Sequence, residues 1–134
     1  MIDIENDVFS MVAQAVKQQY PDVFLSGEHV QSPAEFPCIS LVEWENIVFQ
    51  DTQSSTQTEN HAEVTYELNV YSNKTDGKKE ECKELAAFVD EILSMLGFTR
   101  TMLNPVSDPE NTNYYRMTGR YKAIVSANRT IFRR

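Results

Sequence analysis

The sequence has few of the residues that build catalytic or metal sites. It contains four glycines, two histidines and two cysteines, and it has no glycine-rich loop of the kind that wraps a phosphate group. Cys38 and Cys82 both fall in apolar patterns, which favours buried free thiols over a disulfide framework or a zinc site. His29 and His61 each lack a full set of metal ligands nearby in sequence. We therefore expect no catalytic residues, no metal and no cofactor.

Long apolar runs are absent as well. No stretch approaches the roughly 20 residues that a bilayer-spanning helix needs, so we expect no membrane partner. The acidic start at residues 1–7 has neither the basic residues nor the apolar run of a signal peptide, and with free thiols this predicts a reducing, intracellular setting. The length of 134 residues, with 41% apolar and 24% charged, predicts one globular domain over 1–134.

Charge is divided unevenly along the chain. The net charge is −8, but residues 1–98 hold 18 acidic and 5 basic side chains, whereas residues 99–134 hold 2 acidic and 7 basic ones. An acidic body argues against binding of duplex DNA, because it repels phosphates. Nucleic acid is one possible partner of the basic end. We favour its docking onto the acidic body of a neighbouring copy, since few aromatic residues interleave with the cations.

Residues 62–97 carry the clearest structural pattern. Apolar and polar side chains alternate over 62–71, which is the period of a strand with one buried and one solvated face. After a turn, the apolar residues fall on one stripe of an amphipathic helix that ends at Gly97. That stripe consists of Cys82, Leu85, Ala86, Val89, Ile92, Leu93 and Leu96. We interpret this strand and helix as the scaffold of the fold.

The other segments show the same two patterns. A first helix is predicted over 3–19 with Asp3 as its N-cap, and a short strand or extended link over 23–26. Longer strands are predicted over 38–49 and 114–127, and a strand or extended piece over 98–106. The alternation slips near Leu41 and Val42, which predicts either a bulge or a strand that is buried on both faces. The predicted fold is α+β, with a mainly antiparallel sheet of four to five strands and two helices packed on one face. Residues 128–134 are predicted to be a flexible tail.

Three segments are candidates for contact with other proteins. Residues 50–61 contain no apolar side chain and exceed the length of an ordinary hairpin loop. This is typical either of a loop that contacts another protein or of a solvated loop that is disordered in the free protein. One face of the last strand carries three cations, and these would pair with Glu63 and Glu67 if the two strands are neighbours. The tail adds basic and apolar residues. The candidate interface residues are Gln50, Asp51, Thr52, Gln53, Thr56, Gln57 and Glu59 in the loop, Arg116, Arg120 and Lys122 in the strand, and Arg129, Ile131 and Phe132 in the tail.

Two glutamates support an alternative function, that of a small enzyme or ligand-binding domain. Glu43 and Glu45 flank Trp44, and paired carboxylates can serve as acid and base. The pattern places both on one solvated strand face. A deep pocket uniting them with His61 would favour a small enzyme or ligand-binding domain, and scatter over a flat sheet face would oppose it.

Several features recur together over most of the chain. They are the acidic N-terminal helix with Ile4, Val8 and Val12, the Phe36-Pro37 entry into a strand, the loop 50–61, the unit 63–96 and the closing strand 115–121. In this arrangement and in its size, the chain resembles the tail terminator or tail completion (head–tail joining) proteins of long-tailed bacteriophages and prophages. This resemblance implies a structural virion protein with no enzymatic activity.

The resemblance also implies a set of partners. Proteins of this family form rings, often hexameric, that cap the tail tube and present a surface to the head connector. The expected partners are therefore further copies of this chain, a tail tube protein and a head connector protein. DNA would pass through the lumen without specific binding, since an acidic wall repels phosphates. The expected location is the tail or neck of the virion, and the host cytoplasm during assembly. A different neck or minor capsid connector component is the alternative.

Overall fold

The computed structural model describes residues 1–48, 61–107 and 113–133. Within these ranges the chain forms two helices and six strands. Their order is α1 (Glu5–Gln19), β1 (Phe24–Ser26), β2 (Cys38–Val48), β3 (His61–Ser72), α2 (Lys78–Leu96), β4 (Thr99–Pro105), β5 (Tyr115–Ser126) and β6 (Ile131–Arg133). Neither helix of the described part is long and apolar enough to span a lipid bilayer.

All six strands belong to one mixed sheet, which confirms the predicted α+β class. The order across the sheet is β1-β2-β3-β5-β4, and β6 also pairs with β5. Every pairing is antiparallel except that of β1 with β2. The sheet has six strands rather than the four to five predicted: the segment predicted over 23–26 forms the short strand β1, and the three-residue strand β6 is the additional one. β6 lies within 128–134, the segment for which the sequence predicts a flexible tail.

Alternate residues of β3 form the sheet side of the hydrophobic core. Its even-numbered side chains from Ala62 to Val70 are buried in one apolar cluster with both helices. Both helices therefore pack on this side, which we call the helix face. The opposite side, with the odd-numbered residues of β3 and the even-numbered residues of β5, is the open face. The helices contribute the buried residues Val8, Val12, Val16, Cys82, Leu85, Ala86, Val89 and Leu93.

The two cysteines are confirmed as buried free thiols. Burial raises the pKa of Cys38 to about 11 and that of Cys82 to about 12, so both remain protonated at neutral pH. The Cys82 thiol lies 3.2 Å from the carbonyl oxygen of Tyr115, which it faces across the helix–sheet interface. Both thiols therefore act as small apolar side chains of the core.

The two helices end where the sequence predicts, except that the N-cap of α1 is displaced by one residue. α1 begins at Glu5 with Ile4 in the N-cap position, so the prediction of Asp3 as N-cap is wrong by one residue. Asp3 still binds the start of the helix, because its carboxylate accepts a hydrogen bond from the Glu5 N–H at 3.1 Å. α2 ends as predicted at Gly97, whose φ of 109° is a left-handed conformation that favours glycine.

The bulge in β2 lies between Glu43 and Glu45, not near Leu41 and Val42. The alternative prediction is confirmed for the start of the strand, because residues 38–41 are all buried and β2 is therefore covered on both faces there. One extra residue in a strand turns every following side chain to the other face. Glu43 therefore pairs with Tyr66 on the helix face, and Glu45 pairs with Thr65 on the open face. The prediction that the two glutamates share one face is wrong for this reason.

The open sheet face as candidate contact site

Asn69 is a buried polar residue at the centre of the open face. Its side-chain oxygen accepts hydrogen bonds from Arg116 Nε at 3.1 Å, from a terminal nitrogen of Arg116 at 2.9 Å and from the Thr118 hydroxyl at 2.6 Å. Its amide nitrogen donates to Glu67 at 3.1 Å. The groups meet because the β3–β5 register places Asn69 opposite Thr118. A buried network with its partners in place favours this one register over its neighbours.

Two ion pairs continue along the same strands. Arg120 lies 3.3 Å from Glu67, and Lys122 lies 3.7 Å from Glu63. This confirms the prediction that the cations of the last strand pair with these two glutamates. The cation is the more exposed partner in each pair, at 35% against 12% and at 37% against 15%. The open face therefore presents positive groups to solvent above carboxylates that lie deeper.

Exposed apolar side chains flank these cations. Trp44, the residue at the bulge, is 49% exposed, and the Arg120 guanidinium lies over its ring at 3.9 Å. Ile47 is 48% exposed and Phe132 is 47% exposed. Ile47 and Phe132 are the two ends of a cross-strand row that runs through Glu63 and Ile124. We call Trp44, Ile47 and Phe132 the apolar patch.

The other end of the open face is covered by the chain itself. Tyr71 is fully buried there, and its hydroxyl donates to the Val30 carbonyl oxygen at 2.7 Å. Tyr114 packs edge-on against the Tyr71 ring at 5.6 Å, and Phe36 packs against Tyr114 at 5.8 Å. The segment before β2 thus closes this end, and the accessible part of the open face is the end that carries the apolar patch.

The structure brings some of the predicted interface residues together and separates others. Arg116, Arg120 and Lys122 lie along β5 on the open face, where they take part in the Asn69 network and the two ion pairs. Arg129 lies at the turn before β6 and reaches Asp7 of α1 at 3.4 Å, an exposed pair that contributes little stability. Ile131 packs half-buried against the core, whereas Phe132 is exposed. The loop candidates Gln50, Asp51, Thr52, Gln53, Thr56, Gln57 and Glu59 lie outside the described residues.

Glu43 lies in an acidic cluster rather than in a pocket with Glu45 and His61. Its oxygen accepts a hydrogen bond from the buried Tyr66 hydroxyl at 3.3 Å, and its backbone N–H donates to Glu5 at 2.8 Å. Burial first, and then the nearby charge of Glu5, raises the pKa of Glu43. Asp3 completes the cluster, whose carboxylate oxygens lie within 4.8 Å of one another. Three carboxylates are able to hold a cation, but nothing else at this cluster points to a ligand, and we assign none.

The raised pKa of Glu43 predicts a pH dependence of stability. Because the folded state holds the Glu43 proton more tightly than the unfolded state does, this group stabilises the fold as pH falls through its folded pKa and costs stability at neutral pH. Replacing Glu43 with glutamine should therefore raise the midpoint of urea unfolding at pH 7 and leave it nearly unchanged near pH 4. The matched control is Glu45→Gln, which removes the same charge from β2 but on the open face, away from Glu5 and Asp3. A lower midpoint for Glu43→Gln at pH 7 would contradict this account.

A cleft of about 360 Å³ lies between the end of α1 and the start of α2. Its acidic lining groups are Asp22, Glu81 and Glu84. Two of them are engaged: the Ser72 hydroxyl donates to Glu81 at 2.6 Å, and the Tyr20 hydroxyl lies 3.4 Å from Glu84. Among the described residues that line the cleft, no histidine, cysteine or lysine accompanies these carboxylates.

Sequence reasoning missed the contribution of three residues. The sequence pattern places Trp44 and Ile47 in a strand without predicting their exposure, and it places Asn69 on a solvated face. The only signal in the sequence for the burial of Asn69 is its place between apolar neighbours on a face that also carries Thr65 and Tyr71.

A scan against protein-family models gave no match, and a search of curated proteins gave none either.

Proposed function

We propose that this chain is a structural virion protein of a long-tailed phage or prophage, which forms a ring on the end of the tail tube and joins it to the head. The observation that carries the proposal is the accessible end of the open face. It combines the exposed side chains of Trp44, Ile47 and Phe132 with outward-facing cations on one face of the sheet. Protein interfaces are rich in aromatic and arginine side chains, whereas small-molecule sites are concave pockets.

The separation of the alternative catalytic groups supports a non-enzymatic role. Glu43 lies on the helix face, where it bonds to Tyr66, while Glu45 and His61 belong to the open face. Acid–base catalysis needs its groups within reach of one substrate atom. We infer that the glutamates serve structure and solvation rather than catalysis.

The distribution of charge supports a ring through which DNA passes. A net charge of −8 disfavours retention of DNA by the body of the protein. On the open face, the cations Arg120 and Lys122 are already compensated by Glu67 and Glu63. Contacts with other copies, with a tail tube protein and with a head connector protein are therefore proposed in preference to a nucleic-acid contact.

Tail assembly with and without this protein tests the proposal. Negative-stain images should show tails of uniform length when it is present and tails of uncontrolled length when it is absent. Ile47→Asp should fail to restore uniform length, because it places a charge in the apolar patch. Met11→Asp is the matched control, since Met11 is similarly exposed but lies on α1 away from the open face. It should restore uniform length.

Two experimental results would contradict the proposed role at the end of the tail tube. Uniform tails in the absence of the protein would overturn a role in ending the tube. Co-purification with heads rather than tails would favour the alternative role, that of a neck or minor capsid connector component.

A further inference from the structure

The cleft of about 360 Å³ between the end of α1 and the start of α2 combines apolar side chains with carboxylates. Val23 and Leu85, which are both buried, belong to its lining together with two prolines. Its carboxylates are those of Asp22, Glu81 and Glu84, and we call it the acidic cleft. Its volume lies at the small end of the range of small-molecule sites, which are mostly apolar and have a few convergent polar groups.

The segments that border the acidic cleft hold one another in place. The Val23 N–H donates to the Tyr20 carbonyl oxygen at 3.2 Å, and the Phe24 N–H donates to the Pro37 carbonyl oxygen at 2.9 Å. The Tyr20 ring packs edge-on against Phe88 of α2 at 5.2 Å. These contacts join the end of α1 to α2 and to the segments before β1 and β2. The cleft is therefore preformed in the free chain.

No cation of the described residues forms an ion pair with the carboxylates of the acidic cleft, because the described ion pairs all join other residues. The two side-chain donors that reach these carboxylates are hydroxyl groups, which carry no charge. The lysines of the adjoining helix ends are not among the lining residues, namely Lys17, Lys78, Lys79 and Lys83. The cleft therefore carries negative charge that its own lining does not balance.

We propose that the acidic cleft binds an organic cation, a guanidinium or primary ammonium group on an apolar stem. The charged head contacts the carboxylates, and the stem packs against Val23 and Leu85. A free alkylguanidine or alkylamine has this chemistry, and so does an arginine or lysine side chain of another protein. The proposal does not rest on the ring, and it adds a binding site to the proposed function.

The lining selects such a cation over three other kinds of ligand. An anion would be repelled by the carboxylates. A neutral apolar molecule would take the carboxylates out of water without supplying a charge or a donor in return. A calcium or magnesium ion prefers a shell made of oxygen ligands, whereas much of this lining is apolar.

A titration followed through the amide NMR signals of the full chain tests the proposal. The probe is n-butylguanidinium, and its matched control is n-butylurea, which has nearly the same shape without the charge. The cation should shift the signals of the lining residues with a dissociation constant of about 1 mM or lower, and the urea should bind at least about tenfold more weakly. Added salt should weaken binding of the cation, since Asp22 and Glu84 are exposed.

A double variant locates the site. Asp22→Asn combined with Glu84→Gln removes two exposed carboxylates and should weaken binding of n-butylguanidinium by at least about tenfold. Glu81 stays in place because it accepts the hydrogen bond of the buried Ser72 hydroxyl. The control is Glu91→Gln, which removes an exposed carboxylate of α2 outside the cleft and should bind the probe as the native chain does. Thermal unfolding should show both variants to be folded.

A peptide identifies the source of the cation. The arginine of a capped glycine–arginine–glycine peptide presents the guanidinium as a protein does, and the same peptide with citrulline is its uncharged control. Binding of the arginine peptide that equals or exceeds that of n-butylguanidinium assigns the cleft to a side chain of another protein. Weaker binding of the peptide assigns it to a free small molecule.

Three results would overturn the proposal. They are equal binding of n-butylurea, native affinity in the double variant, and the absence of shifts with both the small cation and the arginine peptide up to about 10 mM. Each is measured on the isolated chain and leaves the outcome of tail assembly open. Failure of this proposal is therefore distinguishable from failure of the proposed function.

Discussion

Replacing Leu68 with alanine is expected to lower the free energy of unfolding by about 2–5 kcal/mol. Leu68 is fully buried at the centre of β3, between Leu41 of β2 and Gly119 of β5. The space beside Gly119 is occupied by the side chains of Leu103 and Tyr121, and β2 and β5 are hydrogen-bonded to β3 on either side. Because β3 is held on both sides, the cavity closes only in part, and its cost adds to the lost burial of apolar surface. Urea unfolding measures the change.

The matched control for this prediction is Leu25→Ala. Leu25 is a half-buried leucine on the short edge strand β1, where the sheet borders solvent. The free energy of unfolding should fall less in Leu25→Ala, by under about 2 kcal/mol, because the edge of the sheet relaxes and part of the leucine side chain is already in water. Equal losses at Leu68 and Leu25 would show that the core is not centred on β3.

Replacing Asn69 with alanine is expected to cost about 2–3 kcal/mol. The substitution removes one acceptor that serves both Arg116 and Thr118, and it leaves the Thr118 hydroxyl, which is buried with Asn69, without this partner. A buried donor without an acceptor retains its full cost of desolvation. The cost should appear as a lower midpoint of urea unfolding with little change in slope, since the amount of buried surface hardly changes.

Asn73→Ala controls for the loss of an amide side chain in general. Asn73 is exposed in the turn after β3, so its replacement should change stability by less than about 0.5 kcal/mol. An Asn69→Ala variant as stable as Asn73→Ala would mean that solvent reaches the network on the open face. In that case Asn69 would not define the β3–β5 register.

Leu68 and Asn69 show what the alternation of apolar and polar residues in a strand is able to predict. Alternation over 62–71 assigns Leu68 to the core and Asn69 to the other face, and both assignments are confirmed. The same pattern describes the second face as solvated, whereas Asn69 is buried. Burial of that face depends on β5 and on its cations, which lie about fifty residues away in sequence. A local period contains no information about such a neighbour.

The bulge in β2 shows a second limit of prediction from the sequence pattern. The apolar pattern around Leu41 and Val42 indicates a break in alternation, and a break exists. Its position is fixed instead by the pairing of β2 with β3, which places the extra residue at Trp44. That placement exposes Trp44 beside Arg120 and sends Glu43 to the helix face. A shift of two residues in the bulge thus decides which side chains form the open face.

The sequence by itself determined the α+β class, the two helices, the end of α2 at Gly97 and the pairing of Glu63 and Glu67 with the cations of β5. These follow from periods of 2 and 3.6, from the conformational freedom of glycine and from charge complementarity between neighbouring strands. Only the tertiary structure decided the pairing of β6, the burial of Asn69 and the composition of the apolar patch. Each depends on which distant strands meet and in what register, because burial is a property of the assembled sheet and not of any one segment.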